Sequence, residues 1–134
     1  MPTFTFKKEE RLKSRKAIDL LFKKGQSFGA YPLRVVFMEM EERKSGYPVQ
    51  FTVSVAKKKF KSAVDRNHIK RKIREAWRLN KNWLYKKLEG EENQYAFMII
   101  YSAKEDLPYE VIEKSIKYIN MRFLKKRRTK QKNA

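Results

Sequence analysis

Between Ala63 and Arg78 the chain reads AVDRNHIKRKIREAWR, which sets Arg66, Asn67, His68, Lys70, Arg71, Arg74 and Arg78 within four helical turns. These are groups that bind rather than break bonds. Guanidinium planes take phosphate oxygens two at a time and stack on bases, and an Asn amide both donates and accepts. Apolar residues interleave with them at helical spacing. At about 100° per residue, Ile69, Ile73, Ala76, Trp77 and Leu84 share one sector, and Asn67, Arg71, Arg74 and Arg78 share the opposite one. Lys70 and Lys81 flank that basic stripe, and Glu75 stands where it can brace Arg71 and Arg78. A charged helix face is often no more than a solvated one. Here it carries nearly one sign, and VAKKKFK just upstream adds Lys57, Lys58, Lys59 and Lys61 to the same field, which favours phosphate binding.

Catalytic chemistry has little to draw on. The chain holds one histidine and no cysteine, so thiolate nucleophiles, disulfides and zinc clusters are excluded. His68 beside Asp65 lacks a nucleophile to activate, and a phosphate or base contact suits it better. Asp65 reads as an acidic first-turn residue complementing the helix dipole. Asp65, Glu75, Asp106 and Glu110 are scattered over unrelated segments, which argues against a self-sufficient metal-dependent nuclease.

The elements that must position the basic stripe fit one domain of 134 residues. A hydrophobic content of 41% supports a packed core, whereas 34 Lys and Arg against 15 Asp and Glu leave a formal charge of +19 that calls for a polyanionic partner. Nucleic acid is the first choice and an acidic membrane surface the second. MPTFTFKKEERLK lacks the apolar stretch of a secretory signal and YAFMIIY is too short to span a bilayer, so a soluble cytoplasmic protein is expected. The basic stretch from 125 to 134, KKRRTKQKNA, reads as a disordered tail on a single domain of residues 1–124.

Ser14 can cap a helix through RKAIDLLFKKG, where Ile18, Leu21 and Phe22 share a face and Gly25 supplies a left-handed stop. PLRVVFMEM (Pro32–Met40) and VQFTVSVA (Val49–Ala56) have strand composition, the second alternating strictly, with ERKSGYP between them as a hairpin turn. Helical spacing then runs from about Ser62 to Leu88, with a kink expected at NKN (80–82). QYAFMIIYSA (Gln94–Ala103) is apolar enough to be buried on both faces. A last helix carries Ile112, Ile116, Ile119 and Phe123 as one stripe. The order α-β-β-α-β-α predicts an α+β fold, a two-layer sandwich with a small mixed sheet. Trp77 and Trp83 are expected in the core, and Phe22 suits either a core or an exposed stacking site.

The stretch SVAKKKFKSAVDRNHIKRKIREAWR resembles the signature of the protein subunit of bacterial ribonuclease P, approximately R-N-R-x-K-R-x-x-R-E after a strand ending S-V-x-K-K. Arg66, Asn67, Lys70, Arg71, Arg74 and Glu75 match by position, and His68 replaces the second arginine. FKKEERLKSRKAIDLLFKKGQSF is similar to the family's first helix, so the resemblance covers nearly the whole chain.

What this resemblance implies is an accessory subunit of a ribonucleoprotein endonuclease whose RNA subunit carries the active site. The enzyme removes the 5′ leader of precursor tRNA, with Mg²⁺ held mainly by RNA. The basic helix, with Arg66, Asn67, His68, Lys70, Arg71, Arg74 and Arg78, would face the RNA subunit. A cleft between helix one and the sheet, with Ile18, Phe22, Thr52 and Ser54 as its residues and Lys57 and Lys58 at its edge, would take the single-stranded leader. The resemblance also implies a fold like the second domain of ribosomal protein S5, with a βαβ crossover of the rare left hand rather than the usual right. Charge and fold alone fit a non-enzymatic ribosomal or tRNA-binding protein as well.

Overall fold

A computed structural model describes residues 6–40 and 46–132 of the chain. Its centre is the apolar run expected to be buried on both faces. Strand β4 (Tyr95–Tyr101) lies inside a four-stranded mixed sheet ordered β1-β2-β4-β3, where β1 is Gln26–Ala30, β2 Leu33–Glu39 and β3 Val49–Val55. β2 runs antiparallel to β4 and β3 parallel to it, with Phe37 and Phe51 both opposite Phe97. Helix α1 (Arg15–Lys24) precedes the sheet, α2 (Ala63–Lys87) joins the parallel pair β3 and β4, and α3 (Tyr109–Lys132) ends the chain.

Strand alternation divides the apolar residues between two faces. On one face Val35, Phe37, Phe51, Phe97, Ile99 and Tyr101 pack against Ile69, Ile73 and Trp77 of α2 and the whole predicted stripe of α3. Phe51 and Trp77 stack at 4.4 Å, and Phe123 meets Phe37 and Phe97 edge-on at 5.1 and 4.7 Å. Each fully buried side chain of the α3 stripe contributes roughly 1.5–3 kcal/mol of transfer free energy. On the other face Val36, Ala96 and Met98 pack against Leu12 and Leu21, with Ile18, Met38, Met40 and Ile100 partly buried around them. Helix α1 therefore covers part of the second face, over β2, and adds a partial third layer to the sandwich.

Several expectations need correction. The segment ERKSGYP does not close a hairpin, because β4 lies between β2 and β3; residues 42–45 of it fall outside the described residues. The actual hairpin joins β1 and β2 through Tyr31 and Pro32, linked by a cis peptide. Gly25 is not left-handed, having φ −69°. It is required by crowding: a Cβ there would lie 2.3 Å from the Leu21 carbonyl oxygen and 2.8 Å from Val36 Cγ1. The glycine that does need positive φ is Gly90, at +88°, just after α2. Helix α2 passes through NKN without a break, since Asn80 bonds the Ala76 carbonyl at 2.8 Å and Glu113 at 3.1 Å. Helix α3 continues to Lys132 through most of the segment read as a disordered tail, and Arg127 pairs with Glu91 at 2.7 Å; residues 133 and 134 fall outside the described residues. Trp77 is fully buried, but Trp83 is 48% exposed.

Candidate nucleic-acid interface

Ser62 caps α2, its hydroxyl accepting from the Asp65 amide, and the helix turns Ile69, Ile73, Ala76, Trp77 and Leu84 inward. The opposite side is thereby fixed outward. Asn67, Arg71, Arg74 and Arg78 meet around one depression of about 520 Å³, as their helical spacing requires. Arg71 and Arg74 are exposed. Arg78 gives two hydrogen bonds to Glu75, at 2.5 and 3.1 Å, which orient its guanidinium plane. The bond from Arg78 holds the Glu75 carboxyl below the usual carboxylate range, against the desolvation that pushes it up.

Other predicted residues are placed differently. Arg66 donates to the carbonyls of Phe60 and Lys61, at 2.8 and 2.9 Å, and so fixes the approach to the helix. His68 is exposed and lies 3.3 Å from Asp106, which also receives Lys72 at 2.7 Å. Lys70 is half-buried at the margin of the stripe. Lys57 and Lys58 are exposed in the turn after β3, while their neighbour Lys59 caps the Ser102 carbonyl at 2.6 Å. Lys81 does not flank the stripe. It is buried, 2.5 Å from the fully buried Glu10 carboxylate, which also accepts from the Tyr85 hydroxyl at 2.8 Å and the Lys7 amide at 2.6 Å.

That buried pair exposes what periodicity missed. Residues before α1 form a short 3-10 turn (Lys8–Glu10) and lie along the outer edge of β3, where the Leu12 amide bonds the Phe51 carbonyl at 3.0 Å. The segment supplies Phe6 and Arg11 to the depression, with the Arg11 guanidinium 5.3 Å from the Phe6 ring centre, and then sends Leu12 into the core of the second face. The R-L-K start was visible in the sequence, but nothing local showed that it docks against α2.

On the second face, Thr52 and Ser54 of β3 are half-buried opposite Met98 and Ile100. Val36 and Arg34 of β2 pair with the same two residues from the other side. Thr52 and Ser54 thus share the sheet face on which α1 rests. Ile18 is half-buried there, and Phe22 is 62% exposed. A flat, exposed ring on a basic helix is chemically suited to stacking on an unpaired base. Among the described residues no three His, Cys, Asp or Glu side chains gather into a metal-ligand set, and no helix is long and apolar enough to cross a membrane.

Comparison with known proteins gives a consistent family. The Ribonuclease P family model matches residues 6–124. The ribonuclease P protein component of Porphyromonas gingivalis is 41% identical over 116 residues, 86% of this chain and 83% of that protein. That of Finegoldia magna is 32% identical, covering 84% and 88% respectively. The solved RNase P protein from Thermotoga maritima is similar in fold, with a TM-score of 0.66 at 22% identity over 84% of this chain and 96% of that one. The Staphylococcus aureus RNase P protein has a TM-score of 0.63 at 24% identity over 82% and 91%.

Proposed function

The chain belongs to the ribonuclease P protein family, and on that premise we propose that it docks on the catalytic RNA subunit through the outward face of α2 and receives the 5′ leader of precursor tRNA beside α1. The observation that carries the reading is the gathering of Asn67, Arg71, Arg74 and Arg78 around one depression, on a helix that buries Ile69, Ile73, Ala76, Trp77 and Leu84 in the core. Arginines held there meet backbone phosphates without reading sequence. Phe22, Ile18, Thr52 and Ser54, with Lys57 and Lys58 nearby in the chain, offer an unpaired leader an aromatic face, hydroxyls and positive charge, a combination tolerant of base identity.

The reaction in this proposal is hydrolysis of one phosphodiester, leaving a 3′ hydroxyl on the leader and a 5′ phosphate on the tRNA. In this reading the Mg²⁺ is held by the RNA, in keeping with the absence of a carboxylate cluster among the described residues, and the protein's part is to bind and orient. Purified protein mixed with a bacterial ribonuclease P RNA and precursor tRNA tests this. The protein alone should cleave nothing, and adding it to the RNA should lower the Mg²⁺ concentration needed for cleavage. Metal-dependent cleavage by rigorously RNA-free protein would overturn the reading.

A further inference from the structure

Trp83 is the most informative residue that the foregoing function leaves unused. An indole on the outside of a helix carries a large apolar surface into water, and here it is 48% exposed near the C-terminal end of α2. Lys87, one turn on, sets its ammonium 5.8 Å from the Trp83 ring centre, and Lys86 adds a second cation in the same turn. One turn before it, Leu79 is 38% exposed and extends the apolar surface. A flat ring flanked by cations is the pairing that unpaired nucleotides use, the base on the ring and the phosphate on the ammonium.

We propose that Trp83 and Lys87 form a second RNA contact on α2, a stacking site for an unpaired base of the RNA subunit. This rests on the proposed docking of α2 on that subunit. Trp83 follows Arg74 by about 13 Å along the helix axis and lies half a turn around it. One nucleotide cannot reach both, and a few consecutive nucleotides can. The charge of the chain, +19, favours a polyanion over a second copy of the same protein. The leader is the less suitable RNA, because its site lies beside α1 on the opposite face of the sheet from α2. The RNA subunit already has α2 within reach in the proposed complex.

The chain has two tryptophans, and Trp77 is fully buried against Phe51, so an emission change on adding RNA can be assigned by substitution. The full-length protein would be titrated with ribonuclease P RNA while following tryptophan emission and its quenching by acrylamide. Saturating RNA should alter the emission and protect it from acrylamide, and both effects should vanish in Trp83→Phe. Trp83→Leu, which keeps apolar bulk but not the extended ring, should weaken RNA-subunit binding by on the order of tenfold, with an unchanged melting temperature. Precursor-tRNA binding by the free protein should be the same in Trp83→Leu as in the parent. Three results would each overturn the proposal: RNA binding with unaltered Trp83 emission, parental affinity in Trp83→Leu, or a concentration-dependent self-association that Trp83→Leu abolishes. Failure of the parent protein to bind the RNA subunit at all would instead remove the docking on which this site depends.

Discussion

At the residue scale, an exposed side chain and a buried one of the same type predict different losses. Phe22 is 62% exposed, so its removal should leave the fold nearly intact. A stacked base is worth roughly 1–3 kcal/mol, whereas emptying a buried phenylalanine site costs roughly 3–5 kcal/mol of stability. Phe22→Leu should therefore weaken holoenzyme binding of leader-bearing precursor tRNA and spare mature tRNA, with melting temperature unmoved. Equal losses for both RNAs would take Phe22 out of the leader site. Sequence showed the face Phe22 occupies but not its exposure, because helical spacing puts Leu21 and Phe22 on adjacent positions and only packing decides which turns inward. Leu21 does, against Val36 and Met98. The same limit applied to Trp77 and Trp83: the residue type favours burial at both, and among the described residues only the first meets a partner ring at stacking distance.

At the element scale, what was legible in the sequence was local. The α2 and α3 stripes, the strict alternation of β3 and the doubly buried β4 all follow from period and composition. Strand β1 did not show, because QSFGA has weak strand propensity and pairs through β2. The false hairpin arose because ERKSGYP has turn chemistry, while the true neighbour of β3 comes from a strand far along the chain. The docking of the N-terminal segment was hidden for the same reason: Glu10 and Lys81 are far apart in sequence and meet only in the fold. Burial first, and the Glu10 charge next, push the Tyr85 phenol up, so it stays a donor to that carboxylate. Lys81→Met would leave Glu10 buried without its cation and should cost about 3–5 kcal/mol. Adding Glu10→Gln should recover part of that, since it removes the unpaired charge and the amide oxygen can still accept from the Lys7 amide while the amide NH2 donates to the Tyr85 hydroxyl oxygen. Urea unfolding of both variants measures this; equal stability of single and double variants would show that the two side chains do not act as a pair. RNA-subunit affinity should fall with the single variant, because Phe6 and Arg11 then lose their fixed place beside Arg71 and Arg74.

At the scale of the whole molecule, one quantity acts on folding and on binding with opposite signs. A formal charge of +19 on 134 residues repels itself in the compact state, and salt screens that repulsion. The same salt competes for RNA phosphates, because each protein–phosphate contact releases condensed counterions. Raising monovalent salt from about 0.05 to 0.3 M, which shortens the screening length about 2.5-fold, from roughly 14 to roughly 6 Å, should therefore raise the melting temperature of the free protein and lower its affinity for the RNA subunit. Arg74→Ala separates the two effects. Arg74 is exposed, so the thermal trend should persist; RNA affinity should fall by about 1–3 kcal/mol, as for loss of a charged hydrogen-bonded contact. The slope of log affinity against log salt should become shallower by about one. If salt instead destabilised the free protein, ion pairs such as Arg127 with Glu91 and Lys72 with Asp106 would outweigh the general repulsion. If the slope were the same in Arg74→Ala, the face of α2 would be merely solvated, and the charge of this protein would have to meet RNA elsewhere.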